Sequence, residues 1–291
     1  MARFLTAEIV ESANFEKFAD GRPLTLGIDE AGRGPVLGPM VYACALVETK
    51  DVEHLKALGI CDSKTLNEAK RSKVFEAMEE NEELVAYAYR SLPARYISGH
   101  MLSLEDPQSL NELSHQSAIG LIRNALKRGA NVQEVFVDTV GPKATYQEML
   151  EREFPGVRVT VSEKADALFP IVGAASIVAK VKRDAFLDAH EFDEAELRKP
   201  KGGFGSGYPG DPATQKYLCQ NIDPVFGFSS LIRFSWKTTE EALSRGAVKC
   251  EWSDPNPPQT LFAFFQKTNA VPVVEKAAFF KDRKIKHAVE F

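Results

Sequence analysis

Apolar and polar residues along the chain follow two periods, one typical of strands and one typical of helices. Short apolar runs bounded by turn residues predict five strands, at residues 24–29, 40–48, 84–90, 132–137 and 157–161. The first three strands follow one another without a long helical crossover, which predicts an antiparallel meander. The last two alternate with helical segments, and that order calls for right-handed parallel crossovers.

Helical periodicity fills much of the remaining sequence. Apolar residues spaced three and four positions apart predict helices at about 65–81, 109–128, 143–153, 167–190 and 212–221. Thr65 and Glu68 have the spacing of a capping box at the start of the first helix. Together these elements predict an α/β fold, a mixed five-stranded sheet flanked by helices. Because the character of the sequence changes after Lys237, we predict a domain over residues 1–237 and a helical C-terminal extension over 238–291.

Two adjacent carboxylates, Asp29 and Glu30, end the first predicted strand, and a turn rich in glycine and proline follows them. Neighbouring carboxylates repel one another, and a divalent cation, which prefers oxygen ligands, relieves that repulsion. A turn or helix-start pair without function is the alternative explanation for these two acids alone. Because adjacent strand residues point to opposite faces, Asp29 and Glu30 can share one site only if the strand ends or twists between them.

Two further acids strengthen the case for a metal site. Asp138 ends the strand VFVD as Asp29 ends LGID, and ligands gather beyond the carboxyl ends of parallel strands. If the two strands are neighbours, the two carboxylates meet. Asp166 starts a predicted helix, where an acid is also favourable without any function. Three or four carboxylates around two Mg²⁺ ions make a phosphoryl-transfer site, in which one ion activates water and the other stabilises the leaving oxygen.

Composition narrows the class of protein. The 291 residues are 44% hydrophobic and 26% charged with a net charge of −5, so any nucleic-acid surface must gather its Lys and Arg locally. The four cysteines are scattered and form no CxxC pair, which favours reduced thiols over disulfides or a zinc site. The N-terminus lacks the apolar core of a secretory signal, and no apolar run is long enough to cross a bilayer.

Eight segments in order, over about residues 24 to 236, resemble the type 2 ribonuclease H family and within it the catalytic A subunit of the eukaryotic enzymes. They are GIDEAGRGPVLGPMVYA, CDSKTL, NELSHQSA, VFVDTVG, KADALFP, AASIVAKVKRD, GSGYPGDP and PVFGFSSLIRFSW. The resemblance implies a ribonuclease H-like fold with Asp29, Glu30, Asp138 and Asp166 as catalytic and metal-binding acids for two Mg²⁺ or Mn²⁺ ions. It also implies cleavage of RNA in RNA–DNA hybrids and at single ribonucleotides within DNA, leaving a 3′-hydroxyl and a 5′-phosphate.

The 2′-hydroxyl distinguishes RNA from DNA, and a loop without side chains lets backbone groups approach a sugar. The resemblance assigns this task to Gly32, Arg33 and Gly34, together with Tyr208, whose hydroxyl reaches the same sugar while its ring stacks on the next. A plain tight turn and a loop anchor are the structural alternatives.

Other side chains have the donors for a phosphate backbone. Ser63 and Lys64 suit a phosphate contact, although a helix cap explains them equally well on sequence alone. Lys180 and Arg183 follow Ser176 on one helix face, with Lys182 nearby, and a solvated face is the alternative.

The C-terminal extension carries a weaker motif. Leu261, Phe264 and Phe265 have the spacing of a sliding-clamp-binding box, but Gln259 lies one place later than the usual glutamine. An amphipathic segment that packs on the body or on a partner is the alternative. The resemblance further implies accessory subunits B and C in a heterotrimer, and residence in the nucleus.

Two other functions compete with the ribonuclease. One is a different metal-dependent nuclease or integrase on the same fold, which would have no need of a 2′-hydroxyl reader. The other is a catalytically silent nucleic-acid-binding scaffold, against which the presence of all four acids speaks.

Overall fold

The computed structural model describes residues 7–60, 66–192, 200 and 203–249. Its centre is a six-stranded mixed sheet of order β1-β4-β3-β2-β5-β6. The strands are β1 (Ile9–Glu11), β2 (Pro23–Ala31), β3 (Met40–Glu48), β4 (Val85–Leu92), β5 (Asn131–Asp138) and β6 (Arg158–Ser162). Strands β2, β3 and β4 form the antiparallel meander, and β5 and β6 extend it in parallel from β2.

The predicted mixed sheet is confirmed, but it has six strands and not five. The added strand, β1, pairs antiparallel with β4 through three residues, Ile9 to Glu11. Three residues are too few for alternation to stand out in a sequence, so this strand cannot be told from the lead-in to β2 before the structure is known.

The α-helices are α1 (Glu68–Glu80), α2 (Ala94–Met101), α3 (Leu110–Lys127), α4 (Lys143–Glu153), α5 (Ala165–Leu168), α6 (Pro170–Asp188), α7 (Pro212–Gln220) and α8 (Lys237–Gly246). The helix predicted at 167–190 is interrupted at Phe169, whose extended backbone precedes Pro170. A residue before proline disfavours the helical conformation, and the ring suits the first turn of a new helix. The cap of α1 is Asn67, which accepts from the Lys70 N–H, whereas Thr65 lies outside the described residues.

Helices cover both faces of the sheet. Apolar residues at even positions of β2, such as Leu26 and Ile28, pack with α3 and α4. The opposite face packs against α6, and Gly27 permits a close approach there, since a Cβ at this position would lie 2.4 Å from the Ile171 carbonyl oxygen. The helix that carries the predicted cations is thus held tightly against the strand that carries Asp29.

A third apolar cluster closes the end of the fold near Gly32 to Gly38. Val36 and Leu37 pack there with Phe204, Leu231 and residues of α7 and α8. The boundary predicted at residue 237 stays a prediction, and so does the helical character of the extension beyond residue 249, which lies outside the described residues. No helix in the described part of the chain is long and apolar enough to cross a membrane.

Candidate active site

Strand β2 carries two of the predicted acids and does not end between them. It continues through Ala31, and its ladder with β3 pairs Asp29 with Ala43 and Glu30 with Tyr42. Asp29 therefore faces α6, while Glu30 faces the layer formed by α3 and α4. Both residues nevertheless border the same cleft at the end of the sheet.

Asp138 and Asp166 join Asp29 on the α6 side of the sheet. The parallel ladder pairs Ile28 with Val137, so Asp29 and Asp138 come next on neighbouring strands. One Asp138 oxygen, Oδ1, accepts from the Ala165 N–H at 2.8 Å, which ties the strand end to the start of α5. Asp166 follows in that helix and is buried. The meeting of carboxylates that the sequence predicts at this edge is therefore observed.

A cleft of about 470 Å³ opens above these acids. It is lined by all four predicted acids, by Ala31 and the Gly32–Pro35 loop, and by five further charged or polar residues: Arg71, Lys180, Arg183, Asp184 and Tyr208. Acids, cations and a tyrosine thus surround a single opening.

The electrostatics of the site show that the acids are close enough to interact. Burial raises the pKa of Asp29 to about 7; a hydrogen bond from Ser176 lowers this pKa in part, and the negative charges of Asp138 and Asp166 raise it. The Asp29 Oδ1 atom also accepts from the Glu30 N–H at 2.8 Å. A buried carboxylate beside two others is a site that favours a positive charge.

Two side chains from a distant segment of the chain donate hydrogen bonds to the backbone of the loop that follows the acids. The guanidinium of the fully buried Arg233 donates to the carbonyl oxygens of Gly32, Arg33 and Gly38 at 2.5, 2.9 and 3.0 Å. The Trp236 indole N–H donates to the Gly34 carbonyl at 3.0 Å, and its ring stacks 4.7 Å from the Arg233 guanidinium. These two side chains therefore fix the segment from Gly32 to Gly38 through four of its carbonyl groups.

Tyr208 lies directly over this loop. A Cβ at Gly34 would come within 2.8 Å of the Tyr208 ring, and Tyr208 remains 53% exposed. The tyrosine loop is anchored on one side by the Val36 N–H, which donates to the Gly207 carbonyl at 2.7 Å. On the other side Asp211 accepts from the Ser206 backbone and hydroxyl. The structure thus joins two motifs that are more than 170 positions apart in the sequence and leaves no room for a side chain at Gly34.

The predicted cations separate into two groups. Lys180 and Arg183 line the cleft, and the Lys180 ammonium donates to the Ser176 hydroxyl at 3.0 Å. Lys182 does not join them: its ammonium lies 4.6 to 5.5 Å from the rings of Phe75, Tyr87 and Tyr89, on another side of α6. The remaining predicted site residues lie outside the described part of the chain: Ser63, Lys64, Leu261, Phe264 and Phe265.

Comparison with known proteins assigns the chain to a family. The family model described as Ribonuclease HII matches residues 26–239. The chain belongs to the ribonuclease HII family. It is accordingly a ribonuclease H enzyme, as the sequence motifs predict. The A subunit of the ribonuclease H2 from Caenorhabditis elegans is 48% identical over 296 residues, an alignment that covers 99% of each chain.

Solved ribonuclease HII structures share the fold. The ribonuclease H2 of Pyrococcus horikoshii OT3 is 30% identical, with a TM-score of 0.63 over 76% of this chain and 98% of that one. The RNase HII of Archaeoglobus fulgidus, solved as a complex with PCNA, is also 30% identical, with a TM-score of 0.58 over 74% of this chain and 95% of that one.

The acids of this ribonuclease HII chain fit a divalent cation in chemistry. Asp29 and Asp138 each commit one oxygen to a backbone N–H, which orients the second oxygen. Burial is the main cause of the raised pKa of Asp29, and the charges of Asp138 and Asp166, which raise this pKa further, are negative charges that a cation would offset. As the side chains stand, however, no three acidic, histidine or cysteine residues of the described segments form a group that could hold a metal ion. The position of Glu30 on the opposite face from Asp29 is in keeping with that result.

Two residues that organise the site were missed by the sequence analysis. Arg233 and Trp236 lie in PVFGFSSLIRFSW, which the sequence analysis did not assign to the site. A signal was present, because an arginine inside an apolar run is buried only when it is paired. Its partners, some 200 positions earlier, are backbone carbonyls, which no residue pattern reveals.

Proposed function

We propose that this enzyme hydrolyses the RNA strand of RNA–DNA hybrids and cuts on the 5′ side of single ribonucleotides within DNA duplexes. One observation carries the proposal. The acid cluster and the Gly32–Gly34 loop, which hydrogen bonds hold in place under Tyr208, line the same cleft. Relatives named as the A subunit of ribonuclease H2 support the same activity. The products would carry a 3′-hydroxyl and a 5′-phosphate, and the reaction would serve ribonucleotide removal during DNA replication and repair.

The acids would hold divalent cations for this reaction. Asp29, Asp138 and Asp166 supply oxygen ligands from three separate elements, and Glu30 supplies a fourth from the other face of the sheet. Two bound Mg²⁺ or Mn²⁺ ions would activate water and stabilise the leaving oxygen. Lys180 and Arg183, on the same helix as Ser176, are placed to offset the charge of the neighbouring phosphates.

The loop geometry explains how the enzyme would detect a ribose. A trans peptide directs its N–H opposite to its carbonyl, so the N–H groups of Arg33 and Gly34 point away from the buried Arg233. A 2′-hydroxyl can accept from such donors only if the sugar comes close, and glycine at 34 permits that approach. The tyrosine ring above supplies a flat apolar surface and a polar tip for the same sugar.

A cleavage assay tests the proposed function. The substrates are an RNA–DNA hybrid, a duplex with one embedded ribonucleotide, and an all-DNA duplex, each with and without Mg²⁺ or Mn²⁺. We expect metal-dependent cleavage of the first two only. Cleavage of the all-DNA duplex would identify a general nuclease, and binding without cleavage of any duplex would identify a scaffold. The chain is assayed alone and together with accessory subunits.

Tyr208→Ala should reduce cleavage at single ribonucleotides by about 10- to 100-fold and cleavage of continuous hybrids much less. Stacking of a base on an aromatic ring contributes about 1–3 kcal/mol, and we expect an effect of that order for the sugar that packs on Tyr208. A lone ribonucleotide has no neighbouring ribonucleotide whose contacts could compensate for the loss. Tyr208→Phe, which keeps the ring, separates the hydroxyl from the stacking surface. An equal loss on both substrates would indicate that Tyr208 only anchors its loop.

Partners are proposed on a similar basis. The naming of the relatives as A subunits supports accessory subunits. We propose that these are subunits B and C, and that the enzyme resides in the nucleus. The archaeal complex with PCNA supports a clamp contact, and we propose Leu261, Phe264 and Phe265 as the residues that make it. We expect a peptide of residues 255–270 to bind the sliding clamp, and a titration without saturation at high micromolar concentration would exclude this segment as the contact.

A further inference from the structure

Two tyrosine hydroxyls are buried behind the active site without a hydrogen-bond partner in the described part of the chain. Tyr42 on β3 and Tyr146 on α4 are 1% and 2% exposed, and neither hydroxyl makes a hydrogen bond to any described residue. A buried polar group left in this way is destabilising, and native proteins contain few of them. Phenylalanine would fill both positions without that cost, so the two hydroxyls call for an explanation.

Both hydroxyls lie in the layer that receives the Glu30 side chain. Tyr42 is the cross-strand neighbour of Glu30, and paired residues of an antiparallel ladder point to the same face. Tyr146 enters that layer from α4 and belongs to the same apolar cluster as Tyr42. Burial raises the pKa of both hydroxyls, and the charge of Glu30 raises each of them further. Glu30 is thus near enough to act on both tyrosines.

Ser114 is a competing partner for Tyr42. It is close enough to lower the pKa of the Tyr42 hydroxyl in part. Its own proton, however, goes to the Leu110 carbonyl oxygen at 2.7 Å, and the Arg33 guanidinium donates to the same serine oxygen. Ser114 therefore has no proton left to donate to Tyr42, and its oxygen does not accept a hydrogen bond from the Tyr42 hydroxyl.

The Tyr146 ring is fixed in this position. His115 stacks on it with the ring centroids 4.2 Å apart, and the His115 Nε2 atom is hydrogen-bonded to the Val140 carbonyl oxygen at 3.1 Å. Tyr42 is fixed by the strand itself. An ionised carboxylate is an acceptor only, with room for several donors, whereas each tyrosine hydroxyl has a proton to donate.

We propose that Tyr42 and Tyr146 are positioning residues for Glu30. One oxygen of the Glu30 carboxylate accepts hydrogen bonds from their hydroxyls when the other oxygen of that carboxylate turns toward a cation in the cleft. The inference rests on the proposed metal site. It also accounts for the position of Glu30 on the face opposite Asp29: the carboxylate reaches the cleft from a buried layer that holds it from behind. Donors behind a metal-binding carboxylate orient it and tune its affinity.

The test removes only the hydroxyls. Tyr42→Phe, Tyr146→Phe and the double variant of the full-length chain are titrated with Mn²⁺ by calorimetry, and their melting temperatures are measured without metal. The matched control is Tyr89→Phe, since Tyr89 packs against the apolar cluster on the other face of the sheet. We expect the double variant to bind Mn²⁺ about 10- to 100-fold more weakly. We expect its melting temperature without metal to stay equal or to rise, and the control to bind as the wild type does.

A second comparison identifies the route of the effect. In a Glu30→Gln background the same hydroxyl deletions should cause no additional loss of Mn²⁺ affinity, because their effect passes through the Glu30 carboxylate. Equal Mn²⁺ affinity of the wild type and the double tyrosine variant would overturn this inference and leave the proposed function standing. A wild-type chain that neither binds Mn²⁺ nor cleaves would overturn both. A full additional loss in the Glu30→Gln background would overturn the role assigned to Glu30 here.

Discussion

Asp29→Asn should lower the cleavage rate by on the order of 10³-fold or more, because the acid cluster loses a charged group that we propose as a metal ligand. Binding of the hybrid should stay largely intact, since Lys180, Arg183 and the Gly32–Gly34 loop are untouched. Single-turnover cleavage and an electrophoretic binding assay measure the two effects separately.

The same substitution has a second expected result that does not depend on activity. Asp29 is a buried carboxylate whose pKa is raised to about 7 by burial and by its neighbours. Its charge therefore opposes folding in the absence of metal, and removing it should raise the melting temperature of the metal-free protein. Asp20→Asn, at an exposed carboxylate paired with Arg22, is the control and should leave cleavage unchanged. An Asp29→Asn variant that cleaves at close to the wild-type rate would refute the assignment of this acid.

Arg233→Met should destabilise the protein by about 3 kcal/mol or more, because three loop carbonyls lose their donors at once. Methionine keeps an unbranched apolar stem like that of arginine and has no hydrogen-bond donor, so the change chiefly removes the guanidinium. Burial lowers the pKa of Arg233 to about 9, with a further contribution from Arg183, and the group is still charged at neutral pH. Denaturant unfolding measures the stability.

Cleavage by the Arg233 variant tests whether the loop or only the fold depends on this arginine. The assay is run at a temperature where the variant is folded. We expect cleavage at single ribonucleotides to fall more than cleavage of continuous hybrids, because Gly32 and Gly34 are no longer held beneath Tyr208. Arg245→Met, at an exposed position of α8, is the control. Wild-type stability and discrimination in Arg233→Met would show that the carbonyl contacts contribute little.

Most of the acid cluster could be predicted from the sequence for a physical reason. Asp29 and Asp138 each end an apolar strand, and parallel neighbouring strands bring their carboxyl ends to the same edge. Glu30 shows the limit of that argument. Alternation along β2 places Glu30 on the face of the sheet opposite to that of Asp29. The structure shows that β2 continues to Ala31, so the strand does not end between the two acids.

Contacts between distant segments account for what sequence reasoning could not supply. Arg233 acts on backbone carbonyls, which every residue possesses, so no residue type marks its partners. Lys182 shares a helix with Lys180, yet three rings from α1 and β4 draw it away from the cleft. By contrast, the break in the helix at Phe169 is predictable, because Pro170 is visible in the sequence.

Anomalous diffraction from crystals grown with Mn²⁺ tests the central claim most directly. The account predicts manganese peaks in the cleft among Asp29, Asp138 and Asp166, which disappear in crystals of the Asp29→Asn variant. The account would be contradicted by crystals of active enzyme in which manganese is ordered only elsewhere on the protein and none is bound by these three carboxylates.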